Sequence, residues 1–164
     1  MRVIGIDPGL AHTGFGIIDA EKGKLSLVSY GVIETLPDDS HEKRLLCLYK
    51  HLSAVINEFK PDVSEMETLY FARNVSSALP VAEAKGVITL CLAEHKLPVF
   101  NYTPNQIKFA VTGTKTADKK TVQNCVKLLL GLKEVPSPDH AADALAGAIS
   151  HVNLAESGCN SQTP

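Results

Sequence analysis

Four side chains suited to chemistry stand far apart in the sequence: Asp7 in RVIGIDPG, Glu67 in SEMETLYF, and His140 and Asp143 in SPDHAADALAGAISH. Asp7 follows Val3, Ile4 and Ile6, the apolar residues of a short strand that should be central and buried. An ionised carboxylate at the carboxyl end of such a strand is costly unless a cation or hydrogen bonds compensate it. An Asp before Pro-Gly also forms turns, and that reading stands beside the chemical one. Strand alternation in SEMETLYF sets Val63, Glu65 and Glu67 on one face, either solvated at a sheet edge or forming part of an acidic site. His140 and Asp143 are three apart and share a helical face, and the small residues around them, from Ala141 to Ala148, let that helix lie close against a sheet. Ser137 reads as the N-cap, Pro138 as the first helical residue, and Asp139 as a first-turn acid explained by the helix dipole. A first-turn histidine is commonly a capping or surface residue, so the case for His140 rests on convergence. If two strands and one helix bring Asp7, Glu67, His140 and Asp143 to one end of a sheet, these oxygens and one imidazole suit a hard divalent cation, Mg²⁺ or Mn²⁺.

The pattern also indicates the elements that must position them. RVIGID, GFGIIDA and KLSLVSYGVIE read as three strands of an antiparallel meander, the last two joined by a polar turn around Glu21 to Lys24. Residues 40–60 read as a helix with Ser40 as N-cap and Leu45, Leu48, Leu52, Val55, Ile56 and Phe59 on one face. PDVSEMETLYF is a fourth strand. NVSSALPVAEAKGVITLCLAEHK is a helix in which Pro80 marks the first turn or a kink. LPVFNY is a fifth strand, and helices cover 104–111, 118–131 and 138–153. This order describes an α/β domain: a five-stranded mixed sheet with an antiparallel meander at one edge, flanked by helices.

The chain has 164 residues, 45% of them hydrophobic, enough for the core of one domain, set at 1–155. Residues 156–164 read as a disordered tail. No charged-then-apolar leader opens the sequence and no apolar run approaches membrane-spanning length, so a cytoplasmic protein without membrane association is expected. Cys47, Cys91, Cys125 and Cys159 lack CxxC spacing, which indicates reduced thiols and neither a zinc site nor a disulfide framework. A net charge of -2 gives no global sign of nucleic-acid binding. From 108 to 133, however, six lysines (108, 115, 119, 120, 127 and 133) face a single acid, Asp118. This basic segment is either a solvated helical face or a DNA contact.

Four segments, IGIDPGLAHTGFGII, METLYFARNVSSAL, YTPNQIKFAVTGTKTADKKTVQ and HAADALAGAISH, resemble the successive signature segments of the RuvC family, the bacterial Holliday-junction resolvases. They fall in order across nearly the whole chain. The resemblance implies a ribonuclease H-like fold. It also implies a structure-specific endodeoxyribonuclease of homologous recombination and DNA repair, which nicks two opposing strands symmetrically and leaves 5′-phosphate and 3′-hydroxyl ends. It assigns the catalytic and metal-binding positions to Asp7, Glu67, His140 and Asp143, the third being Asp or His within the family. A small helix rotation that brings Asp139 in place of His140 is the alternative. Two Mg²⁺ ions per subunit are implied, with Mn²⁺ as a substitute. So are backbone contacts from Lys108, Lys115 and Lys119, base stacking by Tyr70, a homodimer formed through the helix around 75–94, and the branch-migration proteins RuvA and RuvB as partners. Arg73 and Asn74 follow as further phosphate contacts, whereas alternation turns Phe71 toward the core. Glu65, where the family usually carries a small residue, and Pro80 depart from its pattern. Two rival readings remain. GIDPGLAHTG also resembles the first phosphate loop of actin-like ATPases and sugar kinases, whose second domain 164 residues leave no room for. The other rival is a module that holds junctions without cutting them, against which the intact acidic set argues.

Overall fold

Residues 1–68 and 75–156 are described by the computed structural model of the chain. The β-branched run at the start forms β1 (Arg2–Asp7), which pairs antiparallel with β2 (His12–Glu21), which pairs antiparallel with β3 (Lys24–Glu34). Lys22 and Gly23 turn β2 into β3 with φ of 52° and 75°, the doubly positive pair that a two-residue hairpin matched to strand twist requires. Helix α1 (His41–Phe59) then crosses to β4 (Val63–Glu67), and α2 (Val75–Glu94) crosses to β5 (Val99–Tyr102). Both crossovers give parallel pairings, and the sheet runs β3-β2-β1-β4-β5. Three further helices follow: α3 (Pro104–Thr112), α4 (Lys119–Leu129) and α5 (Asp139–Glu156).

Alternation along β1 divides the core. Ile4 and Ile6 pack with Leu48 and Leu52 of α1 and Ile88 and Leu92 of α2, while Val3 packs on the opposite face with Leu145 and Ile149 of α5 and Val126 of α4. The mixed, twice-covered sheet expected from the sequence is therefore present, with the meander at one edge.

The boundaries differ in informative ways. Ser40 sits at the N-cap of α1, but its hydroxyl donates to Glu42 and caps no amide. Pro80 is the sixth residue of α2, beyond its first turn. Pro138 precedes α5 and does not open it: its carbonyl accepts from the Ala141 and Ala142 amides at 3.0 and 3.3 Å, so Pro138 takes the capping position expected of Ser137. The Ser137–Pro138 peptide is cis. Helix α5 also runs three residues further than expected, taking in Glu156, which the sequence reading had assigned to the tail. Among the described residues no helix is long and apolar enough to cross a membrane.

Candidate active site

Asp7 and Glu67 are the final residues of neighbouring parallel strands, and both lie on the strand face that α5 covers. That helix sits unusually close to the sheet because the strands beneath it lack side chains at the crossing. A Cβ on Gly5 would fall 2.0 Å from the Ala144 carbonyl oxygen, and one on Gly14 would fall 2.0 Å from that of His140. The close approach brings the His140 ring to Asp7, with Nδ1 2.7 Å from Asp7 Oδ2. With the carboxylate as acceptor Nδ1 carries the proton, and in the neutral ring Nε2 is then the nitrogen with the lone pair. The His12 ring stacks on that of His140, with centroids 5.7 Å apart and planes 4° from parallel.

Three residues along α5, Asp143 receives Lys119 of α4 at 3.1 Å. The same ammonium holds Asp139 at 3.0 Å, and Gln123 donates to the other Asp139 oxygen. Asp139 is thus held by α4 while His140 meets Asp7. Glu67, Asp143, Lys108 and Lys119 line a shared cleft of 210 Å³ beside Asp7. Lys115 is exposed between α3 and α4. Tyr70, Phe71, Arg73 and Asn74 lie outside the described residues.

The electrostatics express crowding. Burial raises the pKa of Asp7, and repulsion from Asp143 adds to it, while the His140 bond opposes the rise. Burial likewise raises that of Glu67, reinforced by Asp7 and Asp143 and opposed by Lys85 and Lys108. Glu65, 1% exposed, is pushed well above the usual carboxylate range by burial and by Glu67; its Oε1 has no hydrogen-bond partner among the described residues. Lys85 donates to the Glu67 carbonyl at 2.8 Å, and burial depresses its pKa against the pull of Glu65 and Glu67. Acids and lysine all shift toward neutrality, so desolvation outweighs their attraction here.

Among the described residues no three His, Cys, Asp or Glu side chains are gathered closely enough to hold a metal ion; His140 engages Asp7 and Lys119 engages Asp143. The donor set nonetheless fits a hard cation. Carboxylates kept protonation-prone by burial and mutual repulsion are relieved by a divalent charge, and oxygen donors with one imidazole suit Mg²⁺ or Mn²⁺.

Sequence reasoning missed Lys85, His12 and Arg44, which the structure sets around the site. Lys85 had a signal: it is the sole basic residue of α2. His12 and Arg44 had none, because their places depend on how the β1–β2 loop and α1 meet.

A sheet ordered β3-β2-β1-β4-β5, with acids closing two adjacent parallel strands and a third on the helix that crosses them, defines a ribonuclease H-like protein. Residues 3–151 match the family described as crossover junction endodeoxyribonuclease RuvC. The chain is 51% identical to the protein of that name from Treponema denticola over 156 residues, 95% of this chain and 88% of the relative. Its fold is similar to the Thermus thermophilus RuvC structure, with a TM-score of 0.91, 36% identity and 98% of both chains covered. It is also similar to T. thermophilus RuvC in complex with Holliday junction substrate, with a TM-score of 0.90, 34% identity and the same coverage. The chain belongs to the RuvC family.

Proposed function

We propose that this chain resolves four-way DNA junctions as a divalent-metal-dependent endodeoxyribonuclease, with Asp7, Glu67, His140 and Asp143 as its site. The observation that carries this reading is the convergence at the sheet end: His140 bonded to Asp7, with Glu67 and Asp143 close enough to raise the protonation of their neighbours. Asp7, Glu67 and Asp143 would hold the two ions, with Asp7 as the ligand they would share. When bound, two Mg²⁺ ions supply a deprotonated water and stabilise the leaving 3′ oxygen. Asp7 fixes the proton of His140 on Nδ1, so Nε2 is the nitrogen that ligates or orients the water. Mn²⁺ offers the same coordination preferences.

Lys108 and Lys119 sit in the cleft beside the acids, where their ammonium groups meet a backbone phosphate. Lys119 exchanges Asp143 for phosphate when DNA and metal arrive, because metal and DNA together bring competing charges to both partners. Lys115 extends the basic surface. Tyr70 stacks an unpaired junction base and Arg73 adds a phosphate contact, as the family resemblance implies. Buried Glu65 and half-buried Lys85 lie beneath the site, each shifted by burial toward its neutral form.

Resolution needs two cuts, and a two-fold dimer supplies two sites. Helix α2 supports this assembly: its inner face is buried, yet Leu79 and Leu90 remain 56% and 57% exposed, and Gly86 faces open space. RuvA and RuvB are the partners expected of such a resolvase, and cytoplasmic residence follows from its substrate.

The test is a labelled synthetic four-way junction incubated with and without divalent metal. Paired nicks on opposing strands with 5′-phosphate ends are expected with metal alone. Binding without cleavage supports the non-cutting module, and absence of binding overturns the reading.

A further inference from the structure

A second groove, sharing no lining residue with the Lys108–Lys119 cleft, opens at His140. It has a volume of 330 Å³ and lies between the β1–β2 loop, α1 and α2, with Gly9, His12, Arg44, Val81 and His140 in its walls. His140 belongs to both the catalytic cluster and this groove, so a strand that crosses Asp7 and leaves over His140 enters it.

Arg44 is held ready at this place. Its Nε donates to Thr35 Oγ1 at 2.9 Å, and that hydroxyl donates to the Leu10 carbonyl at 2.6 Å. The Thr35 amide also donates to the Ala11 carbonyl, tying β3 to the loop that follows Asp7. This chain fixes the guanidinium by one edge and leaves its two terminal nitrogens without a partner among the described residues. Glu83 of α2 is engaged by His41 at 2.8 Å. Arg44 is therefore a tethered, part-buried cation with no carboxylate partner, one wall of an open groove that adjoins the site. A planar fork restrained in this way suits a phosphate, because little side-chain freedom is lost on binding.

We propose that this groove is a second phosphate subsite, in which Arg44 takes a backbone phosphate of the DNA strand that runs across Asp7, on the His140 side of the scissile bond. The inference rests on the nuclease reading above. Lysines on one side and Arg44 on the other then hold the strand at two points, which sets the scissile phosphate over the acids. The flat His12–His140 stack forms the wall along which the strand leaves.

The experiment measures junction binding against salt concentration in the absence of cleavage-supporting metal, for the parent, Arg44→Gln and Thr35→Val. A methylphosphonate scan neutralises one phosphate at a time on either side of the cleavage point. Arg44→Gln is expected to weaken binding about tenfold at low salt and to make the salt slope shallower by about 0.9 per engaged subunit. One methylphosphonate position on the His140 side should weaken the parent and cost Arg44→Gln nothing further. Thr35→Val, which cuts the tether and keeps the charge, should retain the parent slope. Where Arg44→Gln does not fold, Arg44→Met, which keeps the aliphatic stem, takes its place in the scan. An unchanged slope with the full methylphosphonate penalty retained overturns the subsite and leaves Arg44 a loop tether. A parent chain that binds no junction at all overturns both this inference and the nuclease reading, whereas parent binding with an Arg44-independent slope overturns the inference alone.

Discussion

His140 and Asp139 are adjacent in sequence and opposite in use. Residue pattern narrowed the helical half of the site to these two and Asp143, but the decision between them came from depth: only with α5 resting on Gly5 and Gly14 does the residue at 140 meet Asp7. His140→Ala is accordingly expected to lower junction cleavage by about 10²-fold or more, the scale of a positioned proton-handling group. Asp139→Ala should leave cleavage near the parent rate, with at most a small drop in the urea midpoint from the lost first-turn acid. If Asp139→Ala is the inactive variant, the assigned register of the site is wrong. Asp7→Asn should abolish nicking yet retain junction affinity in a gel-shift assay, since it removes a metal bridge and no phosphate contact; an active variant counts against the site. The burial of Glu65 was not legible, because alternation gives a face and says nothing of what covers it.

At the level of elements, Glu65 and Gly147 define each other. A Cβ on Gly147 would stand 1.9 Å from Glu65 Oε2, so the helix tolerates the buried carboxyl only where it has no side chain. Gly147→Ala alone is expected to destabilise the fold by about 1–3 kcal/mol, as overpacking does. Combined with Glu65→Ala it should cost less than the sum, with a coupling of about 0.5–3 kcal/mol in a double-mutant cycle. Additive losses would mean that the backbone moves aside. Further along α5, His151 is 3% exposed, with Nδ1 3.0 Å from the Tyr102 hydroxyl and its ring 4.4 Å from that of Phe100. Burial depresses its pKa below 6.5, so the unfolded chain binds a proton that the folded chain refuses. The stability due to neutral His151 is present above pH 6.5 and is lost as pH falls from there toward the folded pKa. Urea midpoints of the parent should drop more steeply than those of His151→Gln between pH 7 and 5; parallel curves would count against it. Strand and helix types were largely legible because β1, α1 and the parallel crossovers carry unbroken periodicity. The start of α5 was not: the Ser-Pro-Asp pattern reads as a Ser137 cap with Pro138 as the first helical residue, whereas the Pro138 carbonyl takes the first amides of the helix.

The whole molecule divides its sheet between two tasks. Acids, lysines and α5 occupy one face, while α1 and the proposed dimer helix α2 occupy the other. Leu79→Glu with Leu90→Glu should convert a dimer to monomers in sedimentation and reduce paired nicking much more than single nicking; a persistent dimer would place the interface elsewhere. Ile4 and Ile6 of β1 face one layer while Val3 and Asp7 face the other, and β2 and β4 divide in the same way, with Ile17 and Met66 toward α1 and α2 and Ile18 and Val63 toward α5. That arrangement makes the two layers separately exchangeable. A graft that replaces residues 41–59 and 78–94 with those of a distant relative, keeping β1, Arg44, Val81 and Lys85, should inherit the donor's choice of subunit partner while keeping the recipient's preference for where the strand is cut.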